Sequence, residues 1–397
     1  MTAALPISAT LVREARHWLR LALAVGIALW IISIIGAFFS PGDFYRSYLM
    51  GYLLWISITL GSLAVVMLQY VTGGAWGIIS RRALESATQT LPLLVILFIP
   101  LCFGLHYLYD WAHPDLVQHE YTLRHRSGYL NVPFFIIRAA IYFAIWGVFT
   151  YFLNRWSTEQ DRSEEMGERV TLQKRLIALS SPGLVVYVFS VSFAAVDWAE
   201  SLETDWHSTI WGFLFVAQDG ISAFAFAIIV VAWLSKREPL LGKVKPAHFQ
   251  DLGNLLLAFV MLWAYFSYSQ LNIVWAGNLT SEISYYLHRL RTSWGGVGIA
   301  LLVLQFLVPF TLLLFRPLKR SASLLCGVAV LMILMRFVDT WWIVLPSTFV
   351  NGFRLHWLNF SVPAAIGALW IAAFLWHIGK RPILPLAPKL EEALQHG

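Results

Sequence analysis

Charge is scarce in this sequence: Asp, Glu, Lys and Arg make up 13% of its 397 residues, where an ordinary soluble domain carries about 25%. A chain so poor in charge cannot cover a single water-soluble core. Lipid must serve as its solvent. Cysteine is nearly absent as well. Cys102 and Cys326 are the only two, and both lie inside apolar stretches. No C-x-x-C, C-x-x-C-H or mixed Cys/His spacing for zinc, iron–sulfur or haem attachment exists. Bis-histidine haem would need histidines facing each other within spans. Only His106 and His377 lie at span ends, on opposite sides of the membrane. There is no phosphate-cradling glycine loop, and no Ser/His/Asp set at one depth to suggest hydrolysis. The chain is therefore expected to bind no metal or redox cofactor of its own. The net charge of +6 is not gathered into one patch, which argues against a nucleic-acid partner.

What is abundant is apolar sequence: 58% of residues are hydrophobic and the mean hydropathy is +0.67. A spanning helix needs about 20 mostly apolar residues. Ten stretches qualify, at 19–39, 47–71, 90–108, 132–153, 177–200, 209–234, 249–275, 295–315, 324–346 and 358–378. The expected fold is all-α and integral to the membrane, a single polytopic domain over 1–397. The first stretch follows Arg13, Arg16 and Arg20 and is too long for a signal h-region, so it reads as a retained span.

Basic residues set the orientation. Loops on the side of the N-terminus hold Arg81, Arg82, Arg155, Arg162, Arg169, Lys174, Arg175, Lys236, Arg237, Lys243, Lys245, Arg316, Lys319, Arg320, Lys380, Arg381 and Lys389. The opposite side has Arg46, Arg124, Arg126, Arg289, Arg291 and Arg354. Both termini are expected in the cytoplasm. In the outer loop 106–131, His106, His113, His119 and His125 alternate with Tyr107, Tyr109, Trp111 and Tyr121. Histidines six apart do not share a helix face, so an aromatic interfacial segment that docks a partner is the preferred reading over a metal site.

An ionisable residue at mid-membrane costs about 2.5–3.5 kcal/mol on insertion scales and is a functional candidate by default. Asp219 lies ten residues in from Thr209 and Arg336 ten in from Pro346, which puts both roughly 15 Å below the outer surface. The two are expected to be within reach of each other. Asp339 follows Arg336 by one helical turn, and Arg138 sits near the outer face. Asp197 and Glu200 repeat the i, i+3 spacing at the outer end of the fifth span. The seventh span adds Tyr265, Ser267, Tyr268, Ser269, Gln270 and Asn272, and the second adds Ser57 and Thr59. Three readings stand: a proton relay through these groups, a quinone headgroup pocket open to the outer face, or a structural ion-pair cluster. The relay is preferred, with Asp219, Arg336, Asp339 and the seventh-span run carrying or gating protons and Asp197 and Glu200 at the outer mouth.

Two segments carry a resemblance. One is Asp197-Trp198-Ala199-Glu200-Ser201-Leu202 followed by Trp206-His207-Ser208-Thr209-Ile210-Trp211-Gly212. The other is Phe266-Ser267-Tyr268-Ser269-Gln270 with Ile273-Val274-Trp275, Asn278-Leu279, Glu282 and Tyr286-Leu287-His288-Arg289. Both resemble the large membrane subunits of alternative complex III, a bacterial quinol:electron-acceptor oxidoreductase, within the NrfD-like, polysulfide-reductase membrane-subunit superfamily. The chain is most similar to the shorter of the two homologous subunits. That resemblance implies two four-helix bundles, spans two to five and six to nine, with spans one and ten alongside. It implies residence in a bacterial cytoplasmic membrane. The implied partners are a homologous NrfD-like subunit, an outer iron–sulfur subunit, c-type cytochrome subunits and small membrane subunits. Ubiquinol or menaquinol would be oxidised in the complex, with haem c and iron–sulfur clusters in the partners. It further implies that the better-supported quinol site lies in the homologous partner, the shorter subunit translocating protons or serving as scaffold. A different class, a stand-alone secondary transporter, would show helices broken at mid-membrane in corresponding halves. Pro182-Gly183 lies too near the inner surface for that.

Overall fold

A computed structural model of the chain describes residues 9–386; Lys389, assigned above to the basic side, lies outside them. Ten helices are long and apolar enough to cross a membrane, and no strand occurs among the described residues. They are α1 (Ala9–Phe39), α2 (Pro41–Thr72), α3 (Ala75–Phe103), α4 (Val132–Arg162), α5 (Met166–Trp198), α6 (Trp211–Leu234), α7 (Pro246–Gly277), α8 (Trp294–Leu314), α9 (Ala322–Val344) and α10 (Leu358–Ile378). The protein is an all-α, multi-pass integral membrane protein. An even number of crossings returns the chain to the face on which it started, here called the termini face; the other is the far face.

Helices α2 to α5 pack as one four-helix bundle and α6 to α9 as a second. The two share a seam, because α6 lies against both α2 and α5. Outside them, α1 pairs with α10, and α10 rests on α2. Small residues permit these approaches, as membrane helix packing favours. A Cβ at Gly61 of α2 would stand 2.0 Å from the carbonyl oxygen of Asp219 on α6. Only glycine lets the two backbones meet there. On α1, Gly36 sits under Trp357 and Ser33 donates to the Ser361 hydroxyl at 3.1 Å. Leu11, Ala15 and Gly26 are buried on the same helix, while Phe38 and Phe39 are among its exposed side chains.

Two departures from straight helix matter. Proline has no N–H to donate, so Pro92 and Pro309 each leave a carbonyl one turn earlier without its helical donor. Before Pro92, α3 breaks at Gln89–Thr90, and its leading segment, Ala75–Thr88, is polar yet almost wholly buried. Apolar length alone predicts this span from residue 90 and places Arg81 and Arg82 in a loop. In the structure they are helical and enclosed. Before Pro309, α8 widens into a π-helical turn, Leu301–Leu307. It aims Gln305 at Trp263 and at the backbone of Met335.

Candidate functional site

Asp219 sits where α2, α5 and α6 meet. Its carboxylate is buried, and each oxygen accepts one hydroxyl: Ser57 Oγ at 2.7 Å and the Tyr187 OH at 2.7 Å. Ser57 in turn lies 3.1 Å from Ser222 Oγ. No cation forms a salt bridge with Asp219 among the described residues. The expected pairing with Arg336 is therefore not direct.

Arg336 bonds instead to Asp339, one turn along α9. Gln218 Nε2 also donates to Asp339, at 2.7 Å. Gln218 and Asp219 are neighbours on α6 but look into different bundles, Gln218 toward α9 and Asp219 toward α2 and α5. One peptide unit thus links two polar centres. Arg336 is enclosed and its Nε has no partner, nor does Gln218 Oε1.

Nearer the far face, Asp197 is held tightly. Arg138 grips both oxygens, Nε at 2.8 Å and Nη2 at 2.9 Å, and Tyr142 donates at 2.8 Å. The guanidinium also lies 3.8 Å from the Tyr129 ring centroid and donates to the Tyr129 carbonyl. Burial pushes the Tyr129 phenol, outside the spans, up to about 12. A bidentate pair of this kind fixes geometry. Asp197 is thus a structural anchor between α4 and α5. Glu200 is different: Oε1 accepts from the Ser208 backbone N–H at 2.7 Å, while Oε2 is buried without a partner.

The seventh-span run splits by helical phase. Gln270 faces inward and accepts from Ser208 Oγ. Ser267 and Ser269 are half-buried. Tyr265 and Tyr268 are 64% and 67% exposed, on the outer wall of the protein and away from Asp219. Asn272 and Trp275 continue that outward stripe.

A second cluster, near the termini face, was not anticipated. Glu85 accepts from Arg81 Nε at 2.9 Å, Ser157 Oγ at 2.7 Å and the Tyr70 OH at 3.1 Å, and it also bonds Arg82. Arg82 continues to Asp161. Arg81 reaches Ser157 and Gln160 at 3.0 Å each. The chain after α10 folds over this cluster: Arg381 stands 3.8 Å from Glu85, and the Leu386 N–H donates to Asp161 at 3.1 Å.

Between the two clusters runs one face of α4. Arg138, Tyr142, Trp146, Thr150, Asn154, Ser157 and Asp161 recur every third or fourth residue. The stripe is roughly 35 Å long at 1.5 Å per residue, which exceeds the ~30 Å hydrocarbon layer. Trp146 Nε1 donates to Ser190 Oγ at 2.9 Å, and Ser190 Oγ to the Tyr187 carbonyl, one residue-width from the Asp219 centre. Asn154 donates to Thr88 at 2.9 Å. Midway along it, Thr150 Oγ1 is buried without a partner, as are Ser180 Oγ on α5 and Gln69 Oε1 beside Tyr70. Buried polar atoms left this way are the kind that ordered water satisfies. A count of charged residues misses the stripe, because its middle members are neutral and individually cheap; four-residue polar spacing on an apolar helix is the signal.

Among the described residues, no three His, Cys, Asp or Glu side chains come together as a metal-ligand group. Of the four histidines of 106–131, His113 contacts the His106 carbonyl, with the two rings 6.5 Å apart, and His119 contacts the Asp115 carbonyl. No family model matches the chain, and no curated protein matches it. What fold and site together define is a class: a multi-pass helical membrane protein whose first bundle has a polar interior.

Proposed function

We propose that the chain is a cofactor-free, proton-handling subunit of a quinol:electron-acceptor oxidoreductase of the alternative complex III kind, corresponding to the shorter of its two homologous membrane subunits (ActF). The observation that carries this reading is the Asp219 carboxylate at the seam of the bundles, held by two hydroxyls and, among the described residues, by no salt bridge. A carboxylate clamped by arginine is fixed in charge and geometry. One bonded only to hydroxyls exchanges its proton along rotatable O–H groups, and Ser57, Ser222 and Tyr187 supply such groups.

Quinol oxidation near the outer face releases protons as its electrons leave. In this reading the electrons pass to iron–sulfur and haem c centres in partner subunits, while this chain carries protons. The termini face is cytoplasmic, as the basic loops indicate, and the membrane is the bacterial cytoplasmic membrane. The exposed phenols of Tyr265 and Tyr268 on α7 support a multisubunit setting, since hydrocarbon offers a phenol no hydrogen-bond partner.

Purification from native membranes tests the assignment. The chain is expected to copurify with a homologous membrane subunit, an iron–sulfur protein and c-type cytochromes. A chain that runs alone or as a homo-oligomer, with no haem in the preparation, overturns it in favour of a stand-alone transporter.

A further inference from the structure

Five arginines of the termini face stand against carboxylates. Arg81 and Arg82 are held by Glu85 and Asp161, Arg155 by Glu159, Arg237 by Glu14, and Arg381 leans on Glu85. The turn between α8 and α9 departs from this pattern. There Arg316, Lys319 and Arg320 stand within five residues, and their side chains bond neutral amides. Arg316 Nε donates to Gln250 Oε1 at 3.2 Å, Arg320 Nη1 to the same oxygen at 3.4 Å, and Lys319 Nζ to Asn254 Oδ1 at 2.6 Å. Among the described residues, no carboxylate forms a salt bridge with any of the three.

The triad is built rather than incidental. Gln250 and Asn254 lie one turn apart on α7 and draw the cations to one side. Gly253, between them, makes room for the Lys319 stem: a Cβ there would meet Lys319 Cγ at 2.9 Å. Three like charges held together in this way repel one another until an anion joins them. Its position names the anion. The turn connects the end of one membrane crossing to the start of the next, and its flanks expose Leu314, Phe315 and Leu324. A ligand here meets cations and apolar surface together.

We propose that Arg316, Lys319 and Arg320 hold the phosphate of an anionic phospholipid, its acyl chains lying along Leu314, Phe315 and Leu324. Arginine supplies planar, paired N–H donors to phosphate oxygens and lysine a compact charge. The site needs no assumption about quinol or protons; it requires only that the protein span a bilayer.

The test uses the complete purified protein, in its complex where it has one, reconstituted into nanodiscs of mixed phosphatidylglycerol and phosphatidylcholine. Lipid retained after detergent extraction is counted by native mass spectrometry. Wild type is expected to keep phosphatidylglycerol in preference to phosphatidylcholine. The variant Arg316→Gln/Arg320→Gln is expected to retain it about fivefold less per cation removed, from about 1 kcal/mol for each basic residue near an anionic surface. The charge-matched variant Lys174→Gln/Arg175→Gln, exposed on the same face, is expected to retain it as wild type does. Equal losses in both variants would reduce the effect to surface potential and overturn the site, as would equal retention of the two lipids by wild type. Displacement of the lipid by millimolar inorganic phosphate would contradict lipid as the ligand and leave a free-anion site.

Discussion

Replacing Asp219 with asparagine is expected to slow proton release during quinol oxidation in sealed vesicles by about a hundredfold, the usual range for losing a positioned acid–base group. Asparagine matches aspartate in shape, and the Ser57 and Tyr187 hydroxyls can rotate to bond its amide. The bundle seam should therefore survive, with the loss of a hydrogen bond limiting the stability cost to about 1 kcal/mol. Asp339→Asn provides the contrast. Asp339 is the direct ionic partner of the enclosed Arg336, so its neutralisation leaves a buried cation uncompensated. Breaking such a pair costs about 3–5 kcal/mol. One substitution should change the rate with assembly intact; the other should impair assembly. Unchanged proton yield and rate in a well-folded Asp219→Asn protein would remove that side chain from the path.

The second large effect belongs to Glu85. Its carboxylate bonds Arg81, Arg82, Ser157 and Tyr70, and glutamine would leave two enclosed guanidinium groups with Asp161 as the remaining anion nearby. Glu85→Gln is expected to destabilise the first bundle by about 3–5 kcal/mol, read as a lowered denaturation midpoint and reduced assembly. Arg81→Leu/Glu85→Leu should cost less than that single change, because replacing both members of a buried pair by apolar residues is often close to neutral. A Glu85→Gln protein within about 1 kcal/mol of wild type, the size of one ordinary hydrogen bond, would show that the cluster is solvated.

The ten helices were legible because lipid imposes a minimum length of apolar sequence. Asp219 and Asp339 were legible for the converse reason, a carboxylate in hydrocarbon being costly enough to need an explanation. Their partners were not. Distance from a span end gives height in the membrane, but not the direction in which a side chain points. Asp219 and Arg336 share a height, yet helical phase turns Asp219 to α2 and α5 and leaves its neighbour Gln218 to meet Asp339. The same phase divides the seventh-span run, sending Gln270 inward and Tyr265 and Tyr268 outward. Arg138 and Asp197 were each noticed, but their pairing depends on how α4 and α5 pack. The Glu85 cluster lay outside any window tuned to apolar residues, because Ala75–Thr88 is polar and becomes buried only when the neighbouring helices and the chain after α10 close over it.

Infrared difference spectroscopy on the reduced and oxidised complex, with aspartate isotopically labelled, tests the central claim most directly. If Asp219 takes up and releases a proton, a protonated-carboxyl C=O band should change during quinol oxidation, shift with the label and vanish in Asp219→Asn. A spectrum with no such band, or with one that persists unaltered in the variant, would contradict the account.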